Sequence, residues 1–123
     1  MAKRQKLISP RRGEVYLVNF DPTIGAEIKK TRPALIVQND IANKYSPITI
    51  VAAITSKFTS PLYPTEVLLR AAKAGLAAES VVVVNQIRAV DKQRLVKRLG
   101  ILSSETMQEV NRAIELCLGL VEI

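Results

Sequence analysis

Arg32 stands immediately before Pro33, and Thr55 closes the apolar run Ile48 to Ile54. A residue before proline is pushed out of the helical region into an extended backbone, so Arg32 projects from the start of a strand, beside a polar loop, with little freedom. Strand alternation puts Thr55 on the face of Thr49, Val51 and Ala53, opposite Ile48, Ile50, Ala52 and Ile54. A guanidinium fork meets two oxygens of one anion and a hydroxyl adds a neutral donor, so both positions suit the gathering of negative charge at the rim of a core. Each has a plainer reading, a surface ion-pair partner for Arg32 and a strand-ending β former for Thr55. Residue type and spacing leave both open.

Other kinds of chemistry are missing. The 123 residues carry 18 Lys and Arg against 11 Asp and Glu, a formal charge of +7, with no His, no Trp and one Cys. That excludes imidazole acid–base catalysis, disulfides and multi-thiolate zinc sites, and no metal or cofactor is expected. Cys117 falls in the apolar stripe Val110, Ile114, Cys117, Leu118 and Val121, where it reads as core packing. Five scattered glycines make no phosphate loop or dinucleotide fingerprint. Glu105, Glu109 and Glu115 lie largely off the last helix's apolar stripe and read as a solvated face. The basic N-terminus is followed by no apolar run of signal-peptide length, and no segment approaches a membrane span, which points to the cytoplasm.

The elements that position the pair are mostly short strands. Residues 1–12 hold Lys3, Arg4, Lys6, Arg11 and Arg12 without an acid and read as a flexible basic arm. Residues 13–123 form one domain with 13 basic and 11 acidic residues, a net +2. Strands are expected at Glu14–Phe20, Ala34–Gln38, Ile48–Ile54, Thr65–Leu69 and Ser80–Asn85, the last continuing or bending into Ile87–Val90. Residues 48–54, apolar throughout, fit a strand covered on both faces. Thr23–Thr31 and Ser56–Pro64 read as loops, and Asp91–Leu95 as one helical turn capped by Asp91. Apolar Met107, Val110, Ile114, Leu118 and Val121 predict a helix over Ser104–Leu120 with Ser103 as N-cap. Many short strands and one terminal helix, without βαβ alternation, argue for a strongly bent sheet or open barrel with the helix packed on it.

The stretches Arg12-Gly-Glu-Val-Tyr16, Gly25-Ala-Glu27, Lys30-Thr-Arg-Pro-Ala-Leu-Ile-Val-Gln-Asn-Asp40, Ser46-Pro-Ile-Thr-Ile-Val-Ala-Ala-Ile-Thr55 and Asn85-Gln-Ile-Arg-Ala-Val-Asp-Lys-Gln-Arg-Leu95 resemble, in order and spacing, the MazF/PemK family of toxin endoribonucleases. The likeness covers Arg11 to the C-terminus and is nearest the MazF type of Gram-positive bacteria. It implies a mainly β, SH3-like small barrel of the MazF/PemK/CcdB type with a C-terminal α-helix. It further implies a homodimeric toxin that cuts single-stranded RNA at short sequence motifs, leaving 2′,3′-cyclic phosphate and 5′-OH ends. A cognate acidic antitoxin would inhibit it, and promoter DNA would be met only in complex with that antitoxin.

Residue by residue, the resemblance puts the catalytic arginine on Arg32 and the catalytic threonine on Thr55. The RNA-contacting glutamate and glutamine fall on Glu27 and Gln86. Lys29, Lys30, Lys57 and Arg88 are candidates for attraction to the RNA backbone. Phe20, Phe58 and Tyr63, which flank the two loops, are candidate stacking surfaces, with plain packing as the alternative. A non-catalytic SH3-like RNA-binding module would share the charge and the fold but has no use for Arg32 and Thr55. The gyrase-poison branch of the superfamily depends on a Trp-Gly-Ile ending, whereas this chain reads Val121-Glu122-Ile123. The charge is also polarised: residues 88–98 carry five cations and one acid, a net +4, and residues 103–123 one cation and four acids, a net −3.

Overall fold

A computed structural model describes residues 9–20, 31–70 and 74–122 of the chain. In order, the elements are β1 (Glu14–Asn19), β2 (Thr31–Ile36), α1 (Asp40–Tyr45), β3 (Ile48–Thr55), β4 (Glu66–Leu69), β5 (Ser80–Asp91), a 3-10 turn (Lys92–Arg94), β6 (Leu95–Ile101) and α2 (Ser104–Cys117). The six strands form one antiparallel sheet, ordered β4-β5-β3-β2-β1-β6.

Alternate residues of the same strands feed two cores, one on each face of the sheet. Val15, Leu35, Ala52 and Val82 pack with Val110 and Ala113 of α2. Their neighbours Tyr16, Ile36 and Val51 turn the other way and pack with Val18, Val90 and Leu95 on the concave face. Curvature comes from two features. The β3–β5 register jumps from Ala52↔Ile87 to Ala53↔Val83, so residues 84–86 bulge from β5 and bend it. The segment after β4 also meets β6 backbone to backbone: a Cβ on Gly75 would lie 2.0 Å from the Leu99 carbonyl oxygen, and one on Gly100 2.7 Å from that of Ala74. Glycine at both positions lets the two edges of the sheet approach, which gives the small barrel expected from the sequence.

Several boundaries differ from expectation. The run Ser80–Asn85 and its continuation Ile87–Val90 are one strand carrying the bulge. β2 begins at Thr31 and takes Pro33 into the sheet. β3 is covered on both faces only in its second half, because Ile48 and Ile50 are each 37% exposed. α2 starts as predicted, with Ser103 Oγ accepting from the Thr106 N–H, but stops at Cys117. Its end is a Schellman turn: Gly119, at φ +74°, and Leu120 donate to the carbonyls of Leu116 and Glu115 at 3.2 and 2.8 Å.

Two elements have no counterpart in the sequence reading. β6 follows the 3-10 turn and pairs with β1. α1 starts just after β2, with Asn39 as its N-cap. It is tied down by a buried knot in which Asn43 Oδ1 accepts from Thr49 Oγ1 at 2.7 Å and Gln38 Nε2 at 3.0 Å, while the buried Lys92 ammonium donates to the Asn43 carbonyl.

The basic arm assigned to residues 1–12 is anchored before Gly13. Pro10 is buried, and Arg12 donates from its backbone N–H to Asp40, from Nε to the Val37 carbonyl and from Nη2 to Asn111. Residues 1–8 lie outside the described residues.

Candidate active site

Arg32 and Thr55 sit opposite each other. β2 and β3 pair through Ala34↔Ala53, Leu35↔Ala52 and Ile36↔Val51, and the same register carried two residues further sets Arg32 across from Thr55. Arg32 is also paired with Val18 of β1, and Thr55 with Val81 of β5. Directly opposed residues share a face of the sheet. Here it is the concave face of Ala34 and Val51, at the end where the apolar filling stops.

The pair lines a cleft of about 330 Å³ together with Pro33, Lys57, Leu76 and Ser80. Among the described residues none that lines it is acidic, so Arg32 and Lys57 give this lining a positive field. Arg32 is exposed at the rim and Thr55 is half-buried. The Lys57 backbone N–H donates to Thr55 Oγ1 at 3.1 Å. Ser80 is buried at the back of the cleft, with its hydroxyl donating to the Ala78 carbonyl at 2.9 Å. Neither the wall from Leu76 to Ala78 nor Ser80 was singled out from sequence, because small residues after Gly75 carry no periodic or chemical signal.

The remaining candidates divide. Lys57 lies in the cleft. Phe58 is half-buried in the neighbouring loop and does not line the cleft. Gln86 is exposed within the β5 bulge. Arg88 faces Val51 across the β3–β5 ladder and stacks its guanidinium over Phe20, 5.1 Å from the ring centroid. Phe20 in turn packs against the concave-face core. Glu27, Lys29 and Lys30 lie outside the described residues.

Among the described residues no three His, Cys, Asp or Glu side chains converge as a metal site. Two groups elsewhere have displaced pKa values. Burial, reinforced by Glu14, raises that of Tyr16. The Arg12 backbone N–H, followed by the Asn43 side chain, holds that of Asp40 below its ordinary value. A second cleft, of about 500 Å³, runs between β4 and α2 past Leu68, Glu105 and Glu109. Its two carboxylates outnumber Arg70, which makes it a poor receptor for an anion.

A curled antiparallel sheet with the C-terminal helix packed on it and a basic Arg–Thr cleft at one end defines a small-barrel protein with a cleft suited to an anion. A family model described as the PemK-like, MazF-like toxin of type II toxin–antitoxin systems matches residues 11–118. Endoribonuclease MazF of Staphylococcus saprophyticus is 47% identical over 110 residues, covering 89% of this chain and 92% of the relative. Endoribonuclease EndoA of Bacillus subtilis is 40% identical over 112 residues, covering 91% and 97%. The solved structure of a mycobacterial endoribonuclease in complex with its cognate antitoxin superposes with a TM-score of 0.76 at 26% identity, over 93% of this chain and 99% of that one. The chain belongs to the family of MazF-like toxins of type II toxin–antitoxin systems.

Proposed function

We propose that this MazF-type endoribonuclease cuts single-stranded RNA by transesterification within the substrate chain, with Arg32 and Thr55 as its catalytic residues. The ribose 2′-oxygen forms a bond to the adjacent phosphorus as the bond to the 5′-oxygen breaks. The 2′-OH gives up its proton and the departing 5′-oxygen gains one, leaving a 2′,3′-cyclic phosphate and a 5′-OH. The substrate brings its own nucleophile, so the protein must align it and stabilise charge on the non-bridging oxygens. The Arg32 fork addresses two such oxygens, and the Thr55 hydroxyl adds a neutral donor from the facing strand. The observation that carries this reading is the meeting of these two residues in one cleft that no carboxylate among the described residues lines.

Lys57 and Arg88, with Lys29 and Lys30 just before Arg32 in sequence, supply further attraction for the RNA backbone. Glu27 and Gln86 contact RNA, and Phe58 offers a stacking surface. The basic cleft also receives an acidic segment of the antitoxin, which inhibits by excluding RNA from the same groove. Ile48 and Ile50 on the α2 face of β3, with Leu118 and Leu120 past the helix end, are exposed apolar side chains that support a homodimer. Promoter DNA is bound only with the antitoxin. No helix among the described residues is long and apolar enough to cross a membrane, and action on RNA in the cytoplasm fits this.

The test is to incubate the protein with a long unstructured RNA, map the new 5′ ends and assay the 3′ ends for cyclic phosphate. Arg32→Ala should fall by at least about 10²-fold while remaining folded. RNA binding without cleavage would favour the non-catalytic module, and a nearly active Arg32→Ala variant would overturn the catalytic assignment.

A further inference from the structure

The +4 segment from Arg88 to Arg98 is not used up by the cleft, and the sheet brings part of it alongside. One row of residues crosses the strands at the level of the catalytic pair: Leu68 on β4, Val81 on β5, Thr55 on β3, Arg32 on β2, Val18 on β1 and Leu95 on β6. Arg94 immediately precedes the β6 end of that row. Its Nη1 donates to the Asn19 carbonyl at 3.1 Å, and Asn19 is paired with Thr31, the neighbour of Arg32. Leu95 lies two strand spacings, roughly 10 Å, from Arg32, and the Arg94 guanidinium is fixed against β1 between them, with donors left over after the contact to Asn19.

Charge differs between the two ends of the row. Towards β4 lie Glu66, Glu105 and Glu109 against Arg70 and Arg112, a net −1. Towards β6, Lys92, Arg94, Lys97 and Arg98 stand against Glu14 and Asp91, a net +2, and Glu14 is bound by Arg98 at 2.6 Å. Arg94 and the exposed Lys97 remain as net positive charge there. A polyanion seated on Arg32 and Lys57 is repelled towards β4 and attracted towards β6.

We infer that Arg94 is a second phosphate anchor, holding the RNA strand where it leaves the Arg32–Thr55 cleft across the ends of β1 and β6. This rests on the endoribonuclease reading of the cleft and adds to it the direction of the substrate. Such a contact is made equally in ground and transition states, so its loss weakens binding rather than the chemical step.

The experiment measures the affinity of the full-length protein for a 2′-O-methylated RNA oligonucleotide spanning a mapped cut site, as a function of salt, alongside cleavage of the unmodified RNA. Arg94→Gln should weaken binding about tenfold and reduce the salt slope by about 0.7, raising KM with kcat unchanged. Arg94→Lys should restore the slope. Arg70→Gln, at the β4–α2 cleft, should leave both unchanged. An Arg94→Gln protein with wild-type slope and affinity, or one that loses kcat at constant KM, overturns the anchor while leaving the Arg32–Thr55 assignment standing. A wild-type protein that neither binds nor cuts RNA overturns both.

Discussion

The backbone N–H of Lys57 donates to the hydroxyl oxygen of Thr55 at 3.1 Å. A hydroxyl that accepts on one side still has its own proton to give, and this bond orients the oxygen so that the proton is free for an anion in the cleft. In the proposed mechanism that proton goes to the scissile phosphate. Thr55→Val keeps the β-branched shape and removes that proton; kcat should drop by about 10²- to 10³-fold at unchanged thermal stability. Thr55→Ser should keep most of the rate. Single-turnover cleavage assays decide it, and a Val variant as active as the Ser variant would show that the hydroxyl has no part in the chemistry.

The Arg32–Thr55 cleft also sets a pH signature. No His exists in the chain, and no carboxylate lines the cleft among the described residues. The kcat/KM profile should lack a histidine-type inflection between about pH 6 and 7. A break there, persisting in saturating substrate, would mean that another group takes the 2′-OH proton.

Much of this site is legible in the sequence because it rests on local rules. The Arg32-Pro33 step fixes an extended backbone, and alternation along Ile48–Thr55 fixes which way Thr55 turns. The long helix is equally local, marked by its apolar period and by Ser103 at its start. What escapes is whatever depends on distant partners. β6 has Lys97 and Arg98 in its middle and becomes a strand by pairing with β1 at the other end of the chain. α1 is six residues long, too short to be stable alone, and exists because Asn43 is buried against Thr49 and Lys92. The meeting of Arg32 and Thr55 also depends on the β2–β3 register, which no single segment encodes.

Closure of the barrel at Gly75 makes a sharp stability prediction. Gly75 and Gly119 both have positive φ, +71° and +74°, yet a Cβ on Gly75 would lie 2.0 Å from the Leu99 oxygen whereas one on Gly119 meets nothing within 4 Å. Gly119→Ala should cost only the left-handed backbone penalty, about 1–2 kcal/mol. Gly75→Ala adds a backbone clash and should cost at least about 3 kcal/mol. Urea denaturation of the two variants measures both, and equal losses would mean that the contact with β6 is not tight in solution.

The knot beneath α1 behaves differently, since there a donor is removed and no bulk is added. Thr49 is fully buried and donates to Asn43 Oδ1 at 2.7 Å. Thr49→Val is nearly isosteric and leaves that oxygen its bond from Gln38 Nε2 at 3.0 Å, so about 1 kcal/mol should be lost. Asn43→Ala strands the Thr49 hydroxyl and should cost about 2–3 kcal/mol. Hydrogen exchange at α1 should accelerate in the second variant before global unfolding does.

Asp40 links the root of the chain to α1, and its charge is the means. Its Oδ1 accepts from the Arg12 N–H at 2.6 Å and from Asn43 Nδ2 at 3.3 Å, and the first of these bonds is the main reason its pKa lies below the ordinary value. A carboxyl with a lower pKa folded than unfolded binds its proton more readily in the unfolded chain. Its stabilising contribution is therefore complete above the unfolded pKa of about 3.9 and is lost as pH falls through the folded one. Asp40→Asn should remove that dependence: the variant is less stable than wild type at neutral pH, and the difference narrows below about pH 4. Urea midpoints across this range test it, and parallel curves for the two proteins would mean that the Asp40 charge contributes nothing to anchoring Arg12.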